Sequence, residues 1–529
     1  CLIIFSLITW RGILQAEVLR LNGTSSDILF IPTYPFMWVV VFGSGLLSLT
    51  FLIDFLKSLD GVLNQCKNPR LWFALDGLFI VLLLTTPIWF HWLPWEISRP
   101  VMGLIGIGLL LLLLFSNMPI GPVMGLIGYL GFSYLVNPGA SLTILGTTPF
   151  RSASSHAMTT IPLFVLMGVL CFHAELSRDI YTTIRNWVGK LPGGLAMSTV
   201  GGCAGFAAVS GSSMATAITM GTIALPEMRR YKYNDGLACG CVAAGGSIGI
   251  LIPPSIAFII YATLTEESIG KLFMAGVVPG LMEAVFYMLT IYIMCKIRPK
   301  LGPPGPSSTW REKIVSLKDT WGILVLFVLV IGGIYAGVFT PTEAAGVGAF
   351  GALLLGILKR KLNKEKILLS LADASNNTAM LLLMLIGADI FSYFLTMSQI
   401  PFMVSDFVVA LPVPNAVTVW AILLVYIILG CIMPIIPAIV LTIPIFLPVV
   451  TGLGYNPIWF GVIVVTMAEM GQITPPVGIN VFALSGVAKD VPLGTIFKGI
   501  FPFLLADIVR VALVFFLPAL ALWLPSLMG

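Results

Sequence analysis

Long apolar segments separated by short polar loops run along most of the chain. Apolar runs long enough to span a lipid bilayer as helices recur throughout, for example Val101–Phe115, Trp321–Val338 and Ala344–Leu358. Ten-residue strands with alternating polar and apolar positions, typical of membrane β-barrels, do not occur in the sequence. The pattern therefore predicts an all-α polytopic membrane protein, because a helix satisfies its own backbone hydrogen bonds in lipid.

Two of the apolar segments are interrupted in the same way. The stretches GILIPPSI (249–256) and GQITPPVG (471–478) share the frame Gly-x-x-x-Pro-Pro, and their prolines remove backbone donors and prevent a continuous helix. Broken backbone inside a membrane is tolerated where it lines a binding site. The exposed carbonyls of half-helices suit a cation, and their exposed amides suit an anion. Paired broken helices of this kind are typical of secondary transporters.

The chain also contains an internal duplication. Matched residues recur 222 positions apart, namely Pro119 and Pro341, Pro226 and Pro448, Tyr233 and Tyr455, Asn234 and Asn456, Gly249 and Gly471, and Pro253 and Pro475. Such a constant offset defines repeat 1, residues 98–305, and repeat 2, residues 306–529. Residues 1–57 and 58–97 precede the duplicated region.

Basic residues distinguish the two repeats. Segment 228–234 (MRRYKYN) contains three of them, whereas its counterpart 450–456 (VTGLGYN) contains none. Likewise, segment 175–192 is basic and its counterpart 397–412 has no basic residue. Because basic loops stay in the cytoplasm, the matching loops are expected on opposite faces of the membrane. The repeats are therefore predicted to be inverted, with the basic linker 295–319 between them in the cytoplasm.

A second irregular element precedes each break. The stretch AAVSGSSMATA (207–217) places small polar residues between two apolar arms, and ILGCIMPIIPAIVLTIP (428–444) places Pro434 and Pro437 between two others. The arms of the first element, residues 195–209 and 217–227, are each too short to cross the membrane, which favours a re-entrant hairpin over a full span. The predicted fold class is thus a pair of inverted repeats with two re-entrant hairpins and two broken helices.

Composition and charge narrow the function. The 529 residues are 58% hydrophobic and 10% charged, against about 25% charged residues in a soluble domain. The net charge of +5 comes from loop residues without a basic recognition helix, so no nucleic-acid partner is expected. Eight scattered cysteines and three isolated histidines predict no metal cluster. Because no catalytic motif and no phosphate-binding loop occurs in the sequence, an enzyme and an ATP-driven pump are disfavoured.

Four motifs resemble a known transporter family. GSSMATAITMGTIALPEMRRYKY, GGSIGILIPPSIAFIIYA, GVFTPTEAAGVGAFGALL and MGQITPPVGINVFALSG look like the large membrane subunit of tripartite ATP-independent periplasmic (TRAP) transporters. The resemblance covers about residues 100–529. Residues 1–57 resemble the C-terminal part of the family's small membrane (scaffold) subunit, and 58–97 resemble the cytoplasmic loop and connecting helix of fused versions. About two helices of the small subunit are missing, so we expect a trimmed start.

The resemblance implies a function as well as a fold. It implies Na⁺-coupled secondary import of a small organic anion of carboxylate type, by an elevator-type mechanism, in the bacterial inner (cytoplasmic) membrane. A periplasmic substrate-binding protein would deliver the anion, and Na⁺ would be the coupling ion without an organic cofactor. An ion channel and a binding-protein-independent anion/Na⁺ symporter are the alternatives, since inverted half-helices also build channel pores.

The family's motifs further imply individual site residues. The first Na⁺ site would comprise Ala207, Ser210, Gly249, Ile252 and Pro253, and the second would comprise Gly430, Gly471, Thr474 and Val477. The hydroxyl and amide groups near the breaks suggest substrate contacts from Ser212, Ser213, Thr216 and Asn480. At the second hairpin tip Pro434 stands where relatives often have an acidic residue, so binding there is expected to differ.

Ionisable side chains inside apolar segments are costly and call for a reason. Glu343 lies near a span end, where a helix cap and a functional role are equally compatible with the sequence. Asp389 and Glu469 lie deeper, and we expect them to contact a site or the surrounding scaffold. Asp507 and Arg510 are three residues apart on a helix and should pair with each other.

Overall fold

The computed structural model describes residues 2–21, seven positions between 38 and 52, and residues 97–528 except 117 and 411. The predicted loop and connecting helix within 58–97 therefore lie, apart from residue 97, outside the described residues. The described part forms helices, numbered here in chain order: α1 Leu2–Leu21, α2 Arg99–Phe115, α3 Ile120–Leu135, α4 Pro138–Ala153, α5 Thr160–His173, α6 Leu176–Val188, α7 Gly194–Ser210, α8 Ser213–Arg230, α9 Asp235–Leu251, α10 Ile256–Thr265, α11 Ile269–Ile297, α12 Trp310–Tyr335, α13 Pro341–Leu358, α14 Lys364–Ser398, α15 Ile400–Val409, α16 Asn415–Ile432, α17 Ile435–Gly452, α18 Pro457–Ile473, α19 Ile479–Ser485, α20 Leu493–Phe516 and α21 Ala519–Ser526.

The all-α polytopic prediction is confirmed for the described residues. Seven of their helices are long and apolar enough to cross a membrane, namely α11, α12, α13, α14, α16, α17 and α20. Two further pairs are long and apolar enough only when taken together, as a broken span or a re-entrant loop, and are bent at their breaks: α5 with α6 by 66° and α9 with α10 by 41°. The two arms of the second hairpin, α16 and α17, are 18 residues each and thus longer than the sequence pattern suggested.

The duplication is visible in the helix ends. Helices α8 and α17 are displaced by 222 residues at both ends, and so are α9 and α18. Helices α9 and α18 each begin with an asparagine cap. Asn234 Oδ1 accepts the N–H groups of the second and third residues that follow it, and Asn456 Oδ1 does the same. Such a cap pairs amides that the first turn leaves free. The repeated sequence therefore specifies the same local structure twice.

Two capping boxes begin the helices at the start of repeat 2. Thr309 Oγ1 accepts the N–H of Glu312, whose carboxylate accepts the N–H of Thr309, and Thr340 and Glu343 repeat the arrangement at α13. Glu343 thus belongs to a capping box, which is the first of the two roles that the sequence allowed. The irregular part of the linker is also shorter than predicted, because α11 continues to Ile297 and α12 begins at Trp310.

The chain divides into two compact units that do not follow the repeats. Unit 1 contains residues 1–155 and 380–406, and unit 2 contains 156–379 and 407–529. Each repeat therefore contributes to both units. Both hairpins and both breaks belong to unit 2.

Unit 1 is held by close helix contact and by hydrogen bonds between its helices. Glycines of α3 face the part of α14 that belongs to this unit, and a Cβ at Gly128 would lie 2.7 Å from the backbone nitrogen of Phe391. Small residues allow such approach between helices in membranes. Asp389 accepts a hydrogen bond of 2.6 Å from Ser152 Oγ. The expected contact of Asp389 is therefore a scaffold contact within this unit.

The two central helices of unit 2 are surrounded by protein. Residues 236–251 of α9 and 458–473 of α18 are all buried. Such helices need not be amphipathic, which explains why both read as continuous runs of small and apolar residues. Each of them ends at one of the Pro-Pro breaks.

Candidate transport site

The first break releases two backbone carbonyls from helical bonding. In a continuous helix the carbonyls of Gly249 and Ile250 would accept N–H groups from residues 253 and 254, but both of these are prolines. Helix α9 ends at Leu251, and α10 resumes at Ile256 after a bend of 41°. The break therefore presents oxygen ligands, which are the type that Na⁺ prefers.

The tip of the first hairpin is a tight turn between α7 and α8. Gly211 has φ +60°, a left-handed conformation that glycine adopts without strain. Ser212 caps α8 through its side chain. Thr216 Oγ1 donates to the Ser212 carbonyl at 2.7 Å and lies 3.0 Å from Ser210 Oγ. The turn thus gathers three hydroxyl groups and a carbonyl from residues 210–216.

This tip packs directly against the first break. A Cβ at Gly249 would lie 2.8 Å from both the Ser212 carbonyl oxygen and Thr216 Oγ1, and a Cβ at Gly211 would lie 2.9 Å from the Pro254 carbonyl oxygen. These distances are shorter than real Cβ contacts, so only glycine permits the approach. The fold therefore brings the predicted residues Ser210 and Gly249 to the same place.

The remaining residues of the first predicted Na⁺ site lie at the ends of the same helices. The Ala207 carbonyl accepts the N–H of Gly211 at 3.2 Å, and the N–H of Ile252 bonds to Ile248 at 3.3 Å. Ala207 and Ile252 are both buried. Pro253 begins the break, and its peptide bond to Pro254 is cis.

The second break has the same construction with one difference. The prolines at 475 and 476, joined by a cis peptide bond, cannot bond to the carbonyls of Gly471 and Gln472. The N–H of Thr474 instead donates to the Gly471 carbonyl at 3.0 Å, and Thr474 Oγ1 donates to Met470 at 2.5 Å. The Gln472 carbonyl is the one that this turn leaves without a helical donor.

The second hairpin meets its break through backbone contact. A Cβ at Gly471 would lie 2.5 Å from the Ile427 carbonyl oxygen and 2.7 Å from Gly430 Cα. Beyond this crossing, the N–H of Gly478 donates to the Cys431 carbonyl at 3.4 Å. Gly430, Gly471 and Thr474 of the second predicted site are therefore brought together by the crossing of α16 and α18.

The two remaining predicted features of the second site are Val477 and Pro434. The Val477 side chain is 36% exposed and follows the two prolines. Pro434 is the residue before α17 and provides no side-chain cap. The tip of this hairpin, residues 433 and 434, therefore lacks the hydroxyl groups of the first, and the expected difference in binding there stays a prediction.

The predicted substrate residues differ in whether their polar groups already have hydrogen-bond partners. Thr216 and Ser213 are buried and already donate their hydroxyl hydrogens, Thr216 to Ser212 and Ser213 to Gln472 Oε1 at 2.9 Å. Asn480, near the start of α19, is completely buried, and neither atom of its amide has a hydrogen-bond partner among the described residues. A buried amide without partners is costly, so Asn480 is the residue that a polar ligand would satisfy.

A buried charged network joins the helices next to the two breaks, and sequence reasoning found only its Asp507–Arg510 pair. Arg510 on α20 contacts Glu283 on α11 at 2.5 Å and Asp507 on its own helix at 3.0 Å, and Tyr287 donates to Asp507 at 2.6 Å. The predicted Asp507–Arg510 pair is confirmed. Buried charges are costly unless they are paired, and here three side chains of α11 and α20 surround one arginine. Among the described residues, Arg510 Nε and Nη2 and Asp507 Oδ1 nevertheless lack a hydrogen bond of good geometry.

The network reaches both central helices at matched positions. Ser247 on α9 donates to Glu283 at 2.8 Å, and Glu469 on α18 interacts electrostatically with Glu283, Arg510 and Asp507. Ser247 and Glu469 are 222 residues apart, and each is two residues before the glycine of a break. That shared register was the signal available in the sequence. Glu469 is completely buried within unit 2, and neither of its carboxylate oxygens has a hydrogen-bond partner among the described residues.

A charged tether closes the far end of the first hairpin. Arg229 in the last turn of α8 donates to Asp490 at 2.9 Å and to Asp235 at 3.3 Å. The hydrogen bond and the positive charge of Arg229 lower the pKa of Asp490 below its ordinary value. The tether joins the hairpin to the loop that precedes α20.

Two helical hairpins that end at two interrupted helices, in one compact unit, define a membrane transporter. The solved structure of the Alcanivorax borkumensis YdaH transporter shares this fold, with a TM-score of 0.55 and 15% identity over 75% of this chain and 91% of that one. The model of the family "Tripartite ATP-independent periplasmic transporter, DctM component" matches residues 107–520. The chain therefore belongs to the TRAP transporter large permease family, and it is a transporter component, not an enzyme.

Curated relatives agree with this assignment. The C4-dicarboxylate TRAP transporter large permease protein DctM of Pseudomonas aeruginosa is 37% identical over 74% of this chain and 91% of its own length. The sialic acid permease SiaM of Vibrio cholerae is 32% identical over 78% and 96%. The isethionate permease DctMQ of Oleidesulfovibrio alaskensis is 31% identical over 91% and 74%. Because the last match covers more of the chain than 107–520, it includes residues before the family model begins.

Proposed function

We propose that this protein imports a small organic anion across the bacterial inner membrane, driven by Na⁺ and supplied by a periplasmic substrate-binding protein. The observation that carries the proposal is the pair of tip-to-break contacts, Ser212 against Gly249 and Gly430 against Gly471. Each contact places a hairpin tip beside carbonyls that the prolines release from helical bonding. One Na⁺ at each of the two breaks is the arrangement that these oxygen groups favour.

The substrate class follows from the polar groups near the breaks. None of the predicted site residues is basic, so a fixed cationic clamp is not part of the proposed site. The buried amide of Asn480 has a donor and an acceptor to offer, and half-helix N-termini favour negative charge. C4-dicarboxylates, sialic acid and isethionate, for which three of the relatives are named, are small organic anions. A carboxylate-type anion is therefore the proposed cargo.

An elevator movement is the proposed mechanism. In such a movement both ion sites and the substrate site travel together, so they must belong to one compact body. Every predicted Na⁺ and substrate residue, from Ala207 to Asn480, lies within unit 2. The buried network around Arg510 would keep the two central helices of that unit in a constant relation during the movement.

Voltage provides the test of coupling. Two Na⁺ with a monoanion carry one net positive charge inward, so an inside-negative potential favours uptake by about 2.3 kcal/mol per 100 mV. Two Na⁺ with a dianion carry no net charge, and uptake should then follow the Na⁺ gradient alone. The measurement is substrate uptake into proteoliposomes with the binding protein outside and potassium–valinomycin potentials imposed.

Three outcomes would contradict the proposal. Uptake that persists without a Na⁺ gradient and follows pH alone would exclude Na⁺ as the coupling ion. Uptake that needs no binding protein would favour the independent symporter. Current that exceeds one charge for each substrate molecule would favour a channel.

A further inference from the structure

One buried hydrogen bond joins the first hairpin to the second break. Ser213, the first residue of α8, donates Oγ to Gln472 Oε1 at 2.9 Å, although 259 residues separate them. Both side chains are 3% exposed. A bond in this environment is shielded from water, so its two groups have no alternative partner in solvent.

The bond lies between the two predicted Na⁺ sites. Ser213 follows Ser212, whose carbonyl oxygen packs against Gly249 of the first site. Gln472 follows Gly471 of the second site, and its own carbonyl is the one that the second break leaves without a helical donor. A change of conformation at either site would therefore displace residues adjacent to this bond.

The internal duplication shows that packing alone does not require the bond. The residues 222 positions away are Ile435 for Ser213 and Ile250 for Gln472, so apolar side chains fill both equivalent positions. Exchanging both partners of a buried hydrogen bond for apolar groups of similar shape is nearly neutral for stability. The polar pair therefore points to a role other than stabilising the hairpin, and it exists in only one of the two possible orientations.

We propose that the Ser213–Gln472 hydrogen bond couples the two Na⁺ sites, with Gln472 as the positioning residue. The inference rests on the proposed function, since it concerns the same two sites. Na⁺ bound at the first site fixes the hairpin tip and with it the Ser213 hydroxyl. Through the bond it fixes Gln472 and the end of α18, which prepares the second site for its ion. The effect is reciprocal, because coupling between two binding sites acts equally in both directions.

The test is equilibrium binding of ²²Na⁺ to the purified full chain in detergent. The unmodified protein is expected to bind two Na⁺ with a Hill coefficient clearly above 1. Ser213→Ala and Gln472→Leu should each keep two bound ions but lower the Hill coefficient to about 1. The half-saturating Na⁺ concentration should rise by about 2-fold to 12-fold, the square root of ordinary coupling factors of about 5 to 150, because the two bound ions share the coupling.

Matched variants separate coupling from a general loss of structure. Thr466→Val removes a buried hydroxyl from the same helix as Gln472, but this hydroxyl bonds only to Val462 of its own helix, so cooperativity should be retained. Ser213→Thr keeps the hydroxyl and should retain the high Hill coefficient. The double variant Ser213→Ala/Gln472→Leu should resemble each single variant, because either change already removes the bond.

Each outcome decides one of the two proposals. If the unmodified protein binds no Na⁺, the proposed function is wrong. If it binds two Na⁺ with a Hill coefficient of 1, or if both single variants remain cooperative, the coupling is wrong and the proposed function stands. If the single variants do not fold, the double variant gives the answer, since it leaves no unpaired polar group behind.

Discussion

Replacing Gly471 by alanine would place a methyl group where α16 and α18 are in backbone contact. The added Cβ would lie 2.5 Å from the Ile427 carbonyl oxygen and 2.7 Å from Gly430 Cα. Ordinary Cβ contacts begin at 3.4 Å, so the two helices must separate by roughly 0.9 Å. Both neighbouring atoms belong to the backbone and cannot move aside as a flexible side chain would.

The cost of this separation can be estimated from overpacking in protein interiors. Inserting a methyl group into a well-packed region costs about 1–3 kcal/mol. The proposed second Na⁺ site requires Gly430 and Gly471 to be in contact, so we expect the cost mainly in the Na⁺-bound state. The apparent Na⁺ affinity should then fall by about 5-fold to 150-fold. The fold should survive, since the change adds no polar group.

The assay is Na⁺-dependent uptake in proteoliposomes, combined with thermal unfolding in detergent at several Na⁺ concentrations. Gly494→Ala is the matched control, because no heavy atom of the described chain lies within 4 Å of the added Cβ. That variant should behave like the unmodified protein or be slightly more stable, as expected for alanine within a helix. Unchanged half-saturation by Na⁺ in Gly471→Ala would refute the assignment of the second site to this helix crossing.

Four further predictions concern topology, ion binding and stability. In a background without native cysteines, Tyr231→Cys should be labelled from the cytoplasm and Leu453→Cys from outside; labelling of both from one face would end the inverted-repeat prediction. Thr474→Val removes one hydroxyl bond and keeps its shape, so the half-saturating Na⁺ concentration in transport should rise by about twofold to tenfold. Arg510→Met leaves buried carboxylates without their cation, and unfolding in detergent should show a loss of about 3–5 kcal/mol; a variant as stable as the parent would contradict a fully charged network. The lowered pKa of Asp490 means that its tether stabilises the fold above the ordinary carboxyl pKa. This contribution is lost as the pH falls through the lowered value. Asp490→Asn should therefore unfold at a lower temperature than the parent at pH 7, and the two unfolding temperatures should converge in acid.

The buried network and the Ser213–Gln472 bond describe different parts of one arrangement. The network joins α9 and α18 to α11 and α20 through Ser247, Glu283, Arg510 and Glu469. Of these residues, Ser247 and Glu469 each lie two positions before the glycine of a break. The Ser213–Gln472 bond joins a hairpin tip to a break at the site itself. The first is expected to affect stability, and the second is expected to affect the cooperativity of Na⁺ binding.

Local physical rules were sufficient for a large part of the fold. Hydropathy predicted membrane helices because lipid requires each segment to satisfy its own backbone, and adjacent prolines predicted the breaks because they lack N–H donors. The 222-residue offset predicted that α8 and α9 would reappear as α17 and α18, and the asparagine caps confirm it. All of these depend on residues within a few positions of one another or on identity between repeats.

Only the tertiary structure decided which groups meet at the site. The sequence suggested Ser213 as a substrate contact, and only the fold shows that its hydroxyl donates to a partner 259 residues away. Gly430 and Gly471 were implied by resemblance, whereas their backbone contact depends on the crossing of two helices. The sequence indicates only that Glu283, an acidic residue in an apolar helix, needs a partner. It does not indicate that Arg510 supplies the positive charge. Contacts between distant segments depend on how the helices pack, and no local rule in the sequence specifies that packing.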